Sequence, residues 1–160
     1  MEVRNAAEVA EWARVLVRGT GMPAEVEQLF AAAAATAPEF LPVAAREEDR
    51  VVAAALSFRD GPVASLCGAA TLPTHRGRGA QSALVRLRVQ EAVAAGAAWI
   101  CAEAYRAAPG TRNPSLHYLL RAGFVPLYER PSWVWLPRWS PPPVQEGPRS
   151  TRRVGEWSSC

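Results

Sequence analysis

Between Thr71 and Gln90 the chain reads T-L-P-T-H-R-G-R-G-A-Q-S-A-L-V-R-L-R-V-Q, an apolar segment that breaks at a doubled Arg-Gly and enters a long helical pattern. Gly77 and Gly79 have no Cβ to hold a ligand away from the backbone, so several N–H groups can converge on one anion. The helix that follows adds its positive end. Arg76 and Arg78 contribute planar, permanently charged forks. Hydrogen bonds to an anion are charge-assisted, so a diphosphate suits this loop better than a neutral ligand does. The competing reading is a tight corner with solvated arginines. Short glycine motifs recur by chance, and the surrounding chain must decide between the two.

Length and composition narrow the choice. A chain of 160 residues with 49% hydrophobic content suits one α/β domain with a substantial core. No apolar run reaches the roughly 18 residues of a membrane span, and the start, M-E-V-R-N-A-A-E, lacks the apolar centre of a signal peptide, so a cytosolic protein is expected. Cys67, Cys101 and Cys160 form no metal-ligand spacing; no metal is expected, and the first two read as small core hydrophobes. All 18 basic residues are Arg, which excludes lysine-nucleophile and Schiff-base chemistry. The net charge of +3 is scattered outside Arg76 to Arg88, which argues against a nucleic-acid partner.

The loop must be held by elements, and periodicity predicts them. Asn5 and Glu8 form a capping pair ahead of a helix over 6–18, ended by Gly19 and Gly21. Pro23 opens a second helix whose Val26, Leu29, Phe30 and Ala33 share a face, closed by Pro38. Three apolar runs, 40–45, 51–58 and 63–72, separated by the charged turn 46–50 and by Asp60-Gly61-Pro62, predict an antiparallel meander. A helix over 79–96 carries Leu84, Val85, Leu87, Val89, Ala92 and Val93 on an apolar band, with Arg86 and Gln90 outside it. A strand over 98–105, a short helix over 114–122 and a closing hairpin of 124–128 with 133–136 complete a domain over 1–136. The Pro-, Ser- and Arg-rich segment 137–160 reads as an extended tail, with a conceivable polyproline ligand at 141–143. The expected fold class is α/β in the α+β sense: a mixed, mostly antiparallel sheet with one central strand-helix-strand crossover and flanking helices.

Two kinds of nucleotide site share a strand, a glycine turn and a helix. The dinucleotide fingerprint needs a third glycine where Ser82 stands, and a doubly wound sheet with several crossovers; only Glu103 sits at a suggestive distance. The string A-A-T-L-P-T-H-R-G-R-G-A-Q-S-A-L instead resembles motif A of the GNAT acetyltransferases, whose pattern is Arg or Gln, two residues, Gly, one residue, then Gly or Ala. Arg76, Gly79 and Gln81 occupy those positions, with Gln81 the departure. Downstream, N-P-S-L-H-Y-L-L-R-A-G-F followed by L-Y-E-R and W-V-W is similar to the GNAT ending. The resemblance covers about residues 5 to 136.

What the resemblance implies is a domain that takes acetyl-CoA as co-substrate and passes the acetyl group to an amine on a small molecule or peptide. In such folds the strand before motif A splays from the strand after the helix, and the pantetheine arm lies in the gap. Backbone groups of Ala69 and Thr71 would bond the arm, Arg76, Gly77, Arg78, Gly79, Ala80 and Gln81 would hold the pyrophosphate, and Asn113 or Ser115 would contact the arm near the second helix. Family members often place the Asn eleven residues before the Gly of Gly-Phe, and Asn113 lies ten before Gly123. Glu103 is the expected base, acting through water, with an exposed strand residue as the plain alternative. Tyr118 is the expected acid, one position and about 100° of helix rotation from the family's tyrosine, which Leu119 replaces. His75 and His117 read as surface residues.

The usual first strand is missing, since only Met1 to Arg4 precede Asn5; either the start is truncated or a second copy covers the sheet edge in a homodimer. Trp12, Phe30, Trp133 and Trp135 fit an aromatic acceptor pocket or a core equally well. The runner-up function is a catalytically impaired acyl-CoA-binding or protein-interaction domain of the same fold, favoured by Gln81 and the displaced tyrosine.

Overall fold

A computed structural model describes residues 6–133 and 135. Two compact units divide the chain, Met1–Pro126 and Leu127–Cys160. The first unit begins with helix α1 (Ala6–Thr20), followed by a turn of 3₁₀ helix at Ala24–Val26, helix α2 (Glu27–Thr36) and strands β1 (Phe40–Glu47), β2 (Arg50–Asp60), β3 (Val63–Leu66) and β4 (Ala69–Thr71). Helix α3 (Ala80–Ala94), strand β5 (Trp99–Ala102) and helix α4 (Pro114–Arg121) complete it.

The sheet runs β1-β2-β3-β5, with β4 also paired to β2. β1, β3 and β4 are antiparallel to β2, whereas β3 and β5 are parallel and joined through α3, the single crossover the sequence predicts. Pro42 stands inside edge strand β1, opposite Leu56, whose N–H donates away from β1 to the Gly68 carbonyl. A residue without an N–H costs the ladder nothing at such a place.

One sheet face packs on α1 through Trp12, Leu16, Ala54 and Ala70; the other packs on α3 through Val43, Ala53, Ala55 and Leu84. Trp12 is fully buried, and its indole N–H donates to the carbonyls of Val43 and Ala55, both at 3.1 Å. With Phe30 packed against the same cluster, the aromatic-pocket reading fails for these two residues, and the core reading holds. α1 runs past the predicted end at residue 18, because Gly19 presses the helix against β4: a Cβ there would meet the Ala70 Cβ at 2.5 Å. The terminating glycine is Gly21, with φ of 75°.

Several expectations need correction. The run 63–72 is two strands, broken at Cys67-Gly68, where Gly68 takes a φ of 45°. β1 continues through Arg46 and Glu47, so the charged turn shrinks to Glu48-Asp49. The strand expected over 98–105 covers Trp99–Ala102 only. No strand forms at 124–133 or 135; Pro126 and Pro131 remove ladder donors in this stretch, so the closing hairpin is absent from the described residues. On α2, Leu29 is 67% exposed and Phe30, Ala31 and Ala34 face the core instead. On α3, Val93 is 61% exposed, and the buried positions are Leu84, Val85, Arg88 and Ala92. Cys101 is exposed rather than a core residue. Asn5, Val134 and the tail 136–160, including the polyproline segment, lie outside the described residues, and so does any strand before α1.

Candidate active site

The site begins where β3 and β5 part. Their parallel ladder ends at Leu66 and Ala102, after which the chain on the β3 side, as β4, stays with β2 and leaves β5 behind. In the β2–β4 pair, the Leu72 N–H donates to Val52 O and the Leu56 N–H to Gly68 O. Antiparallel ladders alternate the direction of their peptide groups, so those of Ala69 and Thr71 turn away from β2, into the gap.

Beyond β4 the chain takes one 3₁₀ turn at Pro73–His75 and then the loop Arg76–Gly79. Gly77 and Gly79 have φ of 77° and 86°, and nothing lies within 4 Å of where a Cβ would stand at either. Gly79 is the N-cap of α3 and supplies no side-chain acceptor, so the first-turn N–H groups of the helix have no side-chain cap among the described residues. They face open space beside permanently charged guanidinium groups, a combination suited to phosphate oxygens.

The two arginines of the loop differ. Arg76 Nε donates to Thr71 O at 3.3 Å, and its terminal amino groups have no acceptor among the described residues. Arg78 is ion-paired with Glu47 of β1 at 2.8 Å, and the other Glu47 oxygen lies 2.9 Å from His75 Nε2. One carboxylate thus clasps the loop on both sides of Arg76. His75 is thereby part of the support rather than a plain surface residue, and neither His75 nor Glu47 can be found from local spacing, because Glu47 is remote in sequence.

A cavity of about 360 Å³ occupies this place, within the range of roughly 300–1,000 Å³ usual for ligand clefts. Ala69, Ala70 and Thr71 form one wall, His75, Arg76, Gly77, Gly79, Ala80 and Gln81 the end, and Pro114, Ser115 and Tyr118 the far wall, with Gly19 at the edge. Tyr118 lines the cavity despite its shift of one position. Asn113 does not line it. The Asn113 side chain caps α4, accepting from the N–H groups of Ser115 and Leu116 and donating to the Tyr105 carbonyl. Arg78 lines a second cavity of about 290 Å³ on the β1 side of the loop. Glu103 follows directly on β5 and is not among the lining residues of either cavity. No cluster of His, Cys, Asp and Glu that could hold a metal ion exists among the described residues.

The model of the acetyltransferase (GNAT) family matches residues 6–124, from α1 through the Gly-Phe step after α4. The chain belongs to that family. Solved structures agree on the GNAT fold. An assigned acetyltransferase from Agrobacterium tumefaciens aligns with a TM-score of 0.66 at 20% identity, over 83% of this chain and 97% of its own. The acetyltransferase of Clostridium acetobutylicum solved with acetyl-CoA aligns at 0.63 and 18% identity, over 83% and 92%. The aminoglycoside 6'-N-acetyltransferase AAC(6')-IG of Acinetobacter haemolyticus gives 0.63 and 16%, over 82% and 93%. No curated protein matches the chain significantly. The mixed, mostly antiparallel sheet with its one crossover is therefore the GNAT architecture, and the cavity lies on motif A.

Proposed function

We propose that this GNAT domain is an acetyl-CoA-dependent N-acetyltransferase that moves an acetyl group to a primary amine by direct attack on the thioester. The observation that carries the reading is the separation of β4 from β5 beside the glycine loop, with the outward peptide groups of Ala69 and Thr71 between them. The Ala69 carbonyl and the Thr71 N–H would bond the pantetheine amides as a neighbouring strand does. The N–H groups from Gly77 to Gln81 and the free end of Arg76 would hold the pyrophosphate, and Ser115 would face the arm from α4. Arg78 would act on the anion chiefly through its field and through the shape of the loop, since Glu47 holds its Nη1. Asn113 would act by fixing the first turn of α4.

The chemistry requires a C–N bond to form, the C–S bond to break, one amine proton to leave and the thiolate to gain a proton. Tyr118, which lines the cavity, would give the thiolate its proton. Glu103, at the end of β5, would take the amine proton through water. Binding energy from the loop and the arm then serves to hold the carbonyl in line with the amine. Aminoglycoside acetylation by structural neighbours supports a small-molecule amine as acceptor.

A second reading, an acyl-CoA-binding domain without turnover, is favoured by the position of Glu103 outside the cavity lining. One assay separates the two. Titration with acetyl-CoA followed by detection of free thiol with a panel of amines should show amine-dependent release; saturable binding with no release from any amine would leave the binding domain.

A further inference from the structure

Leu56 and Ser57 of β2 face three residues across the ladder, Leu66, Cys67 and Gly68, because Phe58 pairs with Ser65 while Ala55 pairs with Ala69. The extra residue makes a β-bulge at the point where β3 becomes β4. An unbroken antiparallel pair would exchange two hydrogen bonds between Leu56 and Gly68. Only one forms: the Leu56 N–H donates to Gly68 O at 3.1 Å. The Leu56 carbonyl accepts instead from Arg88 Nη1 at 3.1 Å.

Arg88 reaches this carbonyl from the buried face of α3. It is 4% exposed, and its Nε donates to Leu84 O at 3.2 Å. Burial pushes its pKa down from the ordinary arginine value to about 10, against a smaller opposing contribution from Cys67. A Leu or Met would fill the same helix position without the desolvation cost of a cation, so the guanidinium needs a reason beyond packing. Its effect on the backbone supplies one. With Leu56 O taken by Arg88, the Gly68 N–H has no acceptor among the described residues, and the next peptide group, that of Ala69, turns into the cavity.

We propose that Arg88 is a positioning residue for acyl transfer: by occupying the Leu56 carbonyl it keeps the bulge open, so that the free N–H groups of the Gly68-Ala69 step can donate to the thioester oxygen. The inference rests on the acetyltransfer reading above and assigns that reading a residue outside motif A. Arg88 touches neither substrate nor reacting atoms. Without it, the Gly68 N–H can turn back to Leu56 O, and the donor is lost to the sheet.

The test uses the full chain with [1-13C]acetyl-CoA, reading the thioester carbonyl band by isotope-edited infrared spectroscopy, beside calorimetric affinity for CoA. In the wild type the band should lie below its position in free acetyl-CoA. In Arg88→Met it should return to the free position while CoA affinity changes less than about threefold, and Arg88→Lys should restore most of the displacement. Where turnover is measurable, kcat should fall about 10²- to 10³-fold with little change in KM for acetyl-CoA, as on loss of an oxyanion donor. Arg88→Gln provides the same comparison if Arg88→Met does not fold. A band equally displaced in wild type and Arg88→Met overturns the proposal, and so does a parallel loss of CoA affinity and displacement in both Met and Lys variants. A wild type with a displaced band but no thiol release sinks the transferase reading while supporting the placement of Arg88. A wild type that takes up no acetyl-CoA sinks both.

Discussion

Arg76 and Arg78 stand two positions apart in one loop, yet Glu47 holds Nη1 of the second, whereas neither terminal amino group of the first has an acceptor among the described residues. Arg76→Ala should weaken CoA binding about 10- to 100-fold, the worth of one or two charge-assisted hydrogen bonds, with the loss largest at low salt. Calorimetry at two ionic strengths checks it; an affinity unchanged at both would remove Arg76 from the cradle. Arg88 makes a different residue-scale prediction. Burial holds its folded pKa at about 10, below the ordinary arginine value, so between the two the unfolded chain binds more protons and stability from this group rises with pH. Denaturant titrations should show the wild type gaining on Arg88→Met as pH rises through about 10. Arg76, Gly77, Gly79 and Gln81 stand out in the sequence as one loop because a glycine-arginine pattern is local, and all four line the cavity. The role of Arg88 was not legible there: its spacing from Leu84 and Ala92 puts it on the apolar band, but the carbonyl that holds it in place lies on another element.

Among the elements, the break in the run 63–72 matters most, since it separates β3, which stays paired with β5, from β4, which borders the gap. Periodicity alone reads through Cys67-Gly68, for the apolar residues on both sides share a rhythm. The signal present was Gly68 itself, a residue free to adopt the φ of 45° that the bulge requires. Helix α1 is legible in its type and face but not in its end, because glycine at position 19 serves close approach to Ala70 rather than termination. Gly19→Ala should therefore cost about 1–3 kcal/mol through overlap with β4, a fall of about 2–10 °C in Tm by calorimetry, despite alanine's better helix propensity. A stabilised Gly19→Ala protein would mean that helix and strand can move apart freely. The expected hairpin over 124–136 shows the opposite error, aromatic and β-branched residues outweighing the prolines between them.

For the whole molecule, the match over residues 6–124 makes this chain a member of the GNAT acetyltransferase family, and the solved structures share its fold. Anything that binds the folded chain alone stabilises it. CoA at about 100 times its dissociation constant should add about 2.7 kcal/mol, a rise of about 5–10 °C in Tm, and Gly77→Val with Gly79→Val should abolish that rise. A thermal shift that persists in the double variant would place the coenzyme elsewhere. The antiparallel meander and the single crossover followed from the sequence, because both depend on the succession of elements and on handedness.

The wall of the cavity formed by β4 and the glycine loop is complete in sequence by Gln81, whereas the opposite wall, Pro114 to Tyr118, is synthesised more than thirty residues later. A nascent chain halted before Pro114 would expose a finished phosphate cradle to solvent or to a chaperone with one side open. On the acetyltransferase reading, α4 adds the second side along which the coenzyme arm would lie, so affinity for the coenzyme should rise once Pro114 to Tyr118 have emerged and docked.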